Sequence, residues 1–337
     1  MDGRGKDRAP GVDGPGKGGF AGRAGPAASP RPAGRPVATY SIVARDPTGA
    51  LGVAVQSHWF NVGAVVPWVE AGVGAVAVQS IPDPSHGPRA LALLREGRAP
   101  DEVLGHLLAD DPQAAYRQIG IVDASGRTAA HTGELCIAEA GQETREGVAV
   151  QANLMERATV WPAMLRAFEE TGGDLAGRLL AALEAAEAEG GDVRGRRSAA
   201  IVVRPAPGME GPTFDLRVED HPDPVEELRR LVLLGRAYHE LNLGDGLIAA
   251  GDVAGASAAY ARATGLVPDE ATGGEAPFWA GIALAGAERL DEALPYLRRA
   301  AAVDGRWARL LPRLARSRLV PDDRELLERL RRGMGAP

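Results

Sequence analysis

Three short segments limit the fold of this chain more than any other feature: "LGVAVQS" at residues 51–57, "GAVAVQS" at 74–80 and "GVAVQAN" at 147–153. Each is apolar or small at odd and even positions alike, and each is rich in Val. A strand reads this way only when both of its faces are buried. Such strands need sheet stacked on sheet, with helices covering the outside. All three runs also stop at the same polar word, Gln followed by Ser or Ala. The repetition predicts that several strands finish at one edge of the stack and that this edge is a site.

The turns place that edge. "TYSIVARD" alternates as a strand, "DPTG" at residues 46–49 is a turn with Pro at its first central position, and "ALGVAVQS" returns as the partner strand of a hairpin. "VGAVVPWVEAG" and "VGAVAVQS" read as two further strands about a Gly turn. With both hairpins antiparallel, the start of the first strand shares an edge with the ends of the second and fourth. Thr39, Gln56, Ser57, His58, Asn61, Gln79 and Ser80 then gather at one end of the sheets.

The rest of the pattern is regular. Helices are expected in "PSHGPRALALLREG" and "APDEVLGHLLADDP", with Asp101 and Glu102 favouring the second N-terminus. A hairpin follows in "YRQIGIVDASGRTAAHTG", then the "GVAVQANLM" strand, two amphipathic helices and two closing strands, "RSAAIVVRP" and "TFDLRVED". This order suits an α+β fold, a four-layer αββα sandwich over residues 39–220. After "DHPDP" strands cease, and residues 221–337 read as an all-α domain. The first 38 residues are Gly, Pro, Ala and Arg with almost nothing to bury, and are expected to be a disordered tail. They hold seven Lys or Arg against three Asp, a net of +4 that leaves −11 on the remainder. A removed leader or a start codon set too far upstream explains such a segment better than a function of its own.

Composition narrows the chemistry. A net charge of −7 argues against a nucleic-acid partner. A single cysteine, Cys136, excludes an intramolecular disulfide and is expected to be a small core residue. No paired-Cys, H-E-x-x-H or H-x-x-E-H spacing occurs, so neither a metal nor another cofactor is expected. No apolar run reaches the roughly 18 residues of a membrane span, and a cytoplasmic location is the default. His58 at the polar edge could relay a proton. His86, in "DPSHGP" before a helix, could help hold an anion. Asn153, ending the third strand of the set, could donate to a tetrahedral intermediate. "GGDVRGRRS" puts Asp192, Arg194, Arg196 and Arg197 in one turn, fit to clamp a carboxylate substrate or to form a contact between copies in a homo-oligomer.

The segments "TYSIVARDPTGALGVAVQSHWFNVGAVVPWVEAGVGAVAVQS", "GPRALALLREG", "GVAVQANLM" and "GGDVRGRRSAAIVV" resemble the family called domain of unknown function 1028, itself similar to N-terminal nucleophile (Ntn) hydrolases. That resemblance implies Thr39 as nucleophile once it is the first residue of the chain, its own α-amine as general base, and Ser41 as the reserve. Ser57 and Asn153 would assist; Gln56, His58, Gln79, His86, Asp192 and Arg194 would line the substrate site. The implied activity is hydrolysis of a small amide or ureide-like bond. One departure stands out. The only lysines are Lys6 and Lys17, so the buried lysine of proteasome-like members has no counterpart. Ala38 also blocks the Thr39 amine until the chain is cut or started later. In the helical part, Gly244, Leu247, Gly251, Ala256, Tyr260, Ala263 and Pro268 resemble a tetratricopeptide repeat, with a second copy at Gly281, Leu284, Ala293, Leu297 and Ala300. Repeats of this kind offer a face to a protein or peptide partner. The alternative to an enzyme is a non-catalytic scaffold that acts through those repeats.

Overall fold

A computed structural model describes residues 34, 35, 38–209 and 211–335. The tail expected over residues 1–38 lies outside the described residues, apart from Gly34, Arg35 and Ala38. The first hairpin pairs β1 (Thr39–Arg45) with β2 (Leu51–Ser57) in register Thr39 to Ser57. Its turn is fixed by Asp46, whose Oδ1 accepts from the amides of Thr48 (2.9 Å) and Ala50 (3.0 Å). A second hairpin joins β3 (Pro67–Glu70) to β4 (Gly74–Ser80). Helices α1 (His86–Arg95) and α2 (Pro100–Leu108) follow, then β5 (Arg117–Asp123), β6 (Thr128–Thr132), β7 (Gly141–Arg145) and β8 (Val148–Asn153). Helices α3 (Val160–Glu170) and α4 (Leu175–Ala188) precede the closing strands β9 (Ser198–Arg204) and β10 (Phe214–Val218).

The strands form two antiparallel sheets, one of order β10-β9-β2-β1-β8-β7 and one of order β3-β4-β5-β6. Their facing sides share a core of Val43, Val53, Val55, Ala75, Ala77, Ala149 and Ala200. On the outer face of the large sheet, Tyr40, Ile42, Ala54 and Val150 pack with Met164, Phe168, Leu179 and Leu183 of α3 and α4. On the outer face of the small sheet, Val76, Val78, Ile119 and Ile121 pack with Leu91, Leu94, Val103 and Leu107 of α1 and α2. The two-faced apolar strands are therefore the ones covered on both sides, and the fold is mixed α and β.

Several details depart from the pattern read in the sequence. The apolar stretch before β3 does not run as one strand: Val62–Ala64 is a 3-10 turn and only Pro67–Glu70 pairs. That turn carries the chain from the large sheet to the small one, so β2 and β3 are not neighbours. Strand β7, "GQETR", has no apolar signal because it is a half-exposed edge strand. Cys136 is half-buried rather than in the core; burial still pushes its thiol pKa up.

Beyond β10 the described chain is helical: α5 (Pro224–Ala249), α6 (Val253–Leu266), α7 (Glu275–Gly286), α8 (Leu290–Val303), α9 (Leu311–Arg316) and α10 (Arg324–Gly333). Pro224 opens α5 where its missing N–H costs nothing, and the Asp223 side chain caps it. Helix α5 belongs to two cores. Val225, Leu228 and Val232 complete the core between α4 and the large sheet, whereas Leu241 packs with Ala256, Tyr260 and Ala263 of α6. At the α5–α6 crossing a Cβ on Gly244 would lie 2.4 Å from the Tyr260 ring, so the close approach requires glycine. No described helix is long and apolar enough to cross a membrane.

Two glycines on one helix separate packing from propensity. Gly244→Ala should overpack the crossing and cost about 1–3 kcal/mol. A Cβ on exposed Gly246 meets nothing within 4 Å, and Gly246→Ala should stabilise by about 0.5–1 kcal/mol. Urea denaturation of the two variants should show midpoints moving in opposite directions.

Candidate functional site

Register sets a row of polar residues across the end of the large sheet. Ser198 of β9, Ser57 of β2, Thr39 of β1 and Asn153 of β8 are successive partners, and all four are buried. One step deeper on the same face lie Ser41 and Gln151, paired with each other. The small sheet answers with Gln79 and Gln118, also paired.

These side chains close into one hydrogen-bonded layer. Gln151 Nε2 donates to Ser41 Oγ (2.6 Å), and Ser41 Oγ donates to Gln79 Oε1 (2.6 Å). Gln79 Nε2 donates to Gln118 Oε1 (2.7 Å) and to the Thr39 carbonyl (3.2 Å). Asn153 Nδ2 donates to the same Gln118 oxygen (2.8 Å). Gln118 Nε2 continues to Thr132 Oγ1 (2.9 Å) and the Ala152 carbonyl (2.8 Å). Room for this layer is made by Gly120, where a Cβ would lie 2.2 Å from Gln151 Oε1. Every side chain in the layer is neutral, so burial costs no ion desolvation. It also means that the layer itself contains no group able to act as a base near neutral pH.

Charge enters at the rim. Asp192 is buried, and its carboxylate accepts from the His58 amide (3.0 Å), the Arg194 amide (2.9 Å) and the Arg194 guanidinium (2.9 and 3.1 Å). Arg194 Nη2, held in that fork, also donates to the Ala38 carbonyl (3.2 Å). Ser57 Oγ accepts from the Trp59 amide (2.9 Å), which turns its hydroxyl proton toward the same Ala38 carbonyl, to which it donates. The carbonyl of the peptide bond that precedes Thr39 therefore receives a hydroxyl and a guanidinium together.

Not all expected residues meet at this point. Gln56 lies at the right end of β2, but it is paired with Tyr40 and faces the helices on the outer side of the large sheet. The word "VAVQ" sits one residue out of step in β2 relative to β8, and one residue reverses the face. Both amide atoms of Gln56 are buried without a hydrogen-bond partner among the described residues. His58 is half-buried beside the Asp192 turn and reaches the site through its backbone amide; its Nδ1 has no hydrogen-bond partner among the described residues. His86 is buried elsewhere, on α1, with Nε2 3.7 Å from Asp111 Oδ2, and Asp111 is in turn held by Arg117 Nε (2.6 Å). Arg196 and Arg197 pair within the chain, with Asp223 (3.1 Å) and Asp220 (2.8 Å). Gln118, Gln151 and Thr132 join the layer without having been singled out. The available signal was a glutamine inside a strand otherwise apolar on both faces.

The fold and the closed polar end define a two-sheet α/β protein with a candidate site at the start of its first strand. Residues 39–228 match the family of unknown function DUF1028, and the chain belongs to that family. The crystal structure of protein SPO2555 from Silicibacter pomeroyi, described with the same family, is similar to it. The two share 34% identity with a TM-score of 0.54, over 58% of this chain and 88% of that one. No curated protein matches the chain.

Two expectations follow from the geometry. Asp192→Asn removes the charge that fixes Arg194 and should cost about 3 kcal/mol, the low end for a broken buried pair because Arg194 is partly in solvent; equilibrium denaturation reads it. Burial pushes the His86 pKa below its ordinary value, so the folded state resists protonation that the unfolded chain accepts. Stability should be complete above about pH 6.5 and fall as the pH drops below it. Melting temperatures between pH 7.5 and 5.5 should fall less steeply for His86→Asn than for the unaltered chain.

Proposed function

We propose that this protein is an N-terminal-nucleophile-type hydrolase of a small amide or ureide-like bond, with Thr39 as the attacking residue of a chain that begins there. The observation that carries the reading is the paired donation by Ser57 Oγ and Arg194 Nη2 to the Ala38 carbonyl, directly before Thr39. In a chain starting at Thr39 the same two donors would meet the carbonyl oxygen of a substrate and stabilise the oxyanion formed on attack. The freed α-amine, with a pKa of about 7.7–8.0, would take the Thr39 hydroxyl proton. The layering of helices, large sheet, small sheet and helices supports an αββα sandwich of the Ntn type. Asn153 and Gln79 flank Thr39, but Asn153 Nδ2 is engaged by Gln118, so its part is to position the strand end. Asp192 orients Arg194.

The α5–α6 and α7–α8 pairs support the tetratricopeptide-like reading. Gly244 and Gly281 each sit where a Cβ would strike the partner helix, at Tyr260 and Leu297. A face for protein contacts follows from that. A second reading, a non-catalytic scaffold, is favoured by the neutrality of the inter-sheet layer and by the burial of Thr39 behind Ala38.

The deciding experiment compares two chains, one beginning at Thr39 and one retaining Val37 and Ala38, on a panel of small amides and ureides. The first should hydrolyse at least one of them, with a rate that rises to a plateau above about pH 8. Thr39→Ser should retain activity, and Thr39→Ala should lose on the order of 10³-fold or more. Full activity in a chain whose intact mass still includes Ala38 would rule out the free-amine mechanism.

A further inference from the structure

The helical region carries a charge pattern that the sandwich does not use. From Arg306 to Arg318 the sequence has five arginines, at 306, 309, 313, 316 and 318, and no carboxylate. All five are exposed. Among the described residues Arg306 alone of the five has a hydrogen-bonded carboxylate partner, Asp304, with its Nε 2.6 Å from the carboxylate. Arg309 acts on that carboxylate only through space, and among the described residues no hydrogen bond or ion pair engages the side chains of Arg309, Arg313, Arg316 and Arg318. The chain as a whole is acidic at −7, and the segment is its opposite.

Three of the arginines, Arg306, Arg309 and Arg313, line a cavity of about 470 Å³ together with Gly273, Asp304, Trp307 and Leu310. Its rigid element is Trp307. The indole stacks on Phe278 with ring centroids 4.6 Å apart, and its Nε1 donates to the Gly273 carbonyl (2.9 Å). Gly274 lets the ring lie this close: its φ is +82°, and a Cβ there would be 2.9 Å from the indole nitrogen. The cavity thus joins a fixed aromatic wall to guanidinium groups one helical turn apart, Arg309 and Arg313, with unspent donors.

We infer that this cavity binds a short acidic peptide segment of a partner protein, carboxylates on Arg309 and Arg313 and an apolar side chain against Trp307 and Leu310. Guanidinium forks match carboxylates in pairs. The volume falls within the roughly 300–1,000 Å³ of ordinary ligand sites. A long polyanion fits less well. Residues 39–303 hold 22 arginines and lysines against 37 aspartates and glutamates, a net charge of −15 that the +4 of the first 38 residues and the +4 of residues 304–337 offset to −7. Such a body repels an extended nucleic acid and accepts a segment whose charge is confined to one or two side chains.

The test uses the full chain and a fluorescein-labelled decapeptide of Glu, Asp and Leu. Its controls are the same peptide with Gln and Asn in place of the acids and a labelled ten-nucleotide oligothymidylate. Fluorescence anisotropy should show binding of the acidic peptide alone, weakening at least tenfold between 50 and 300 mM salt. Arg309→Glu with Arg313→Glu should weaken it at least tenfold. Trp307→Ala should weaken it at least threefold, and Arg298→Glu, an exposed change outside the cavity, should leave it unaltered. Circular dichroism melting confirms that each variant is folded. Equal binding of the neutral peptide, tighter binding of the oligonucleotide, or indifference to the double charge reversal would each overturn the inference. So would sedimentation showing that the same reversal abolishes self-association, since the patch would then face a second copy of this chain.

Discussion

Burying both faces of both sheets imposes the constraint on which the rest of the sandwich depends. Where two such sheets meet, a polar side chain has only the protein to pair with, and among the described residues the layer leaves just Gln151 Oε1 and Asn153 Oδ1 without a partner. A buried donor or acceptor left unpaired costs about 1–3 kcal/mol. At the Thr39 end the protein answers with amides and hydroxyls from four strands of two sheets, Gln151, Ser41, Gln79, Gln118 and Asn153, each serving as the partner of the next. Amides suit the task because one side chain both donates and accepts. The layer fixes the spacing of the sheets and the position of the first residue of β1 together, which places Ala38 within reach of Ser57 and Arg194.

Much of this was legible in the sequence, for definite reasons. The two-faced strands showed as apolar runs, and the hairpins showed through Asp46–Gly49 and the Gly turn before β4. Parity alone brought Thr39, Ser57 and Gln79 to one end. It survived the change of sheet between β2 and β3 because the connecting turn crosses at that same end. The face of a residue was not legible. Gln56 and Gln151 occupy the same word, yet only register against β1 decides that one looks at helices and the other at the opposing sheet. Strand β7 was hidden because an edge strand needs no apolar face. The bond from Arg194 to the Ala38 carbonyl joins groups 156 residues apart, and no local pattern announces it.

The two halves of the chain solve their packing with different materials. The sandwich uses β-branched side chains interleaved with small ones, so its sheets approach closely and leave few aromatic rings inside. The helical region uses glycine and alanine at the crossings, then plugs the space with single rings, Tyr260 in one pair and Phe278 against Trp307 farther on. The match to the family ends at residue 228, within the first part of α5, whereas the helix keeps packing on the large sheet through Val232 and turns to the helical core by Leu241.

Helix α5 continues unbroken across that limit, for 26 residues or about 39 Å. Its first turns are part of the sandwich core and its later turns part of the helical core, so neither core can lose the helix without exposing apolar surface in both. The shared helix should therefore make the two regions melt together. A ligand seated on the distal helices would raise the resistance of the sandwich to unfolding by mass action, without touching it or altering its shape.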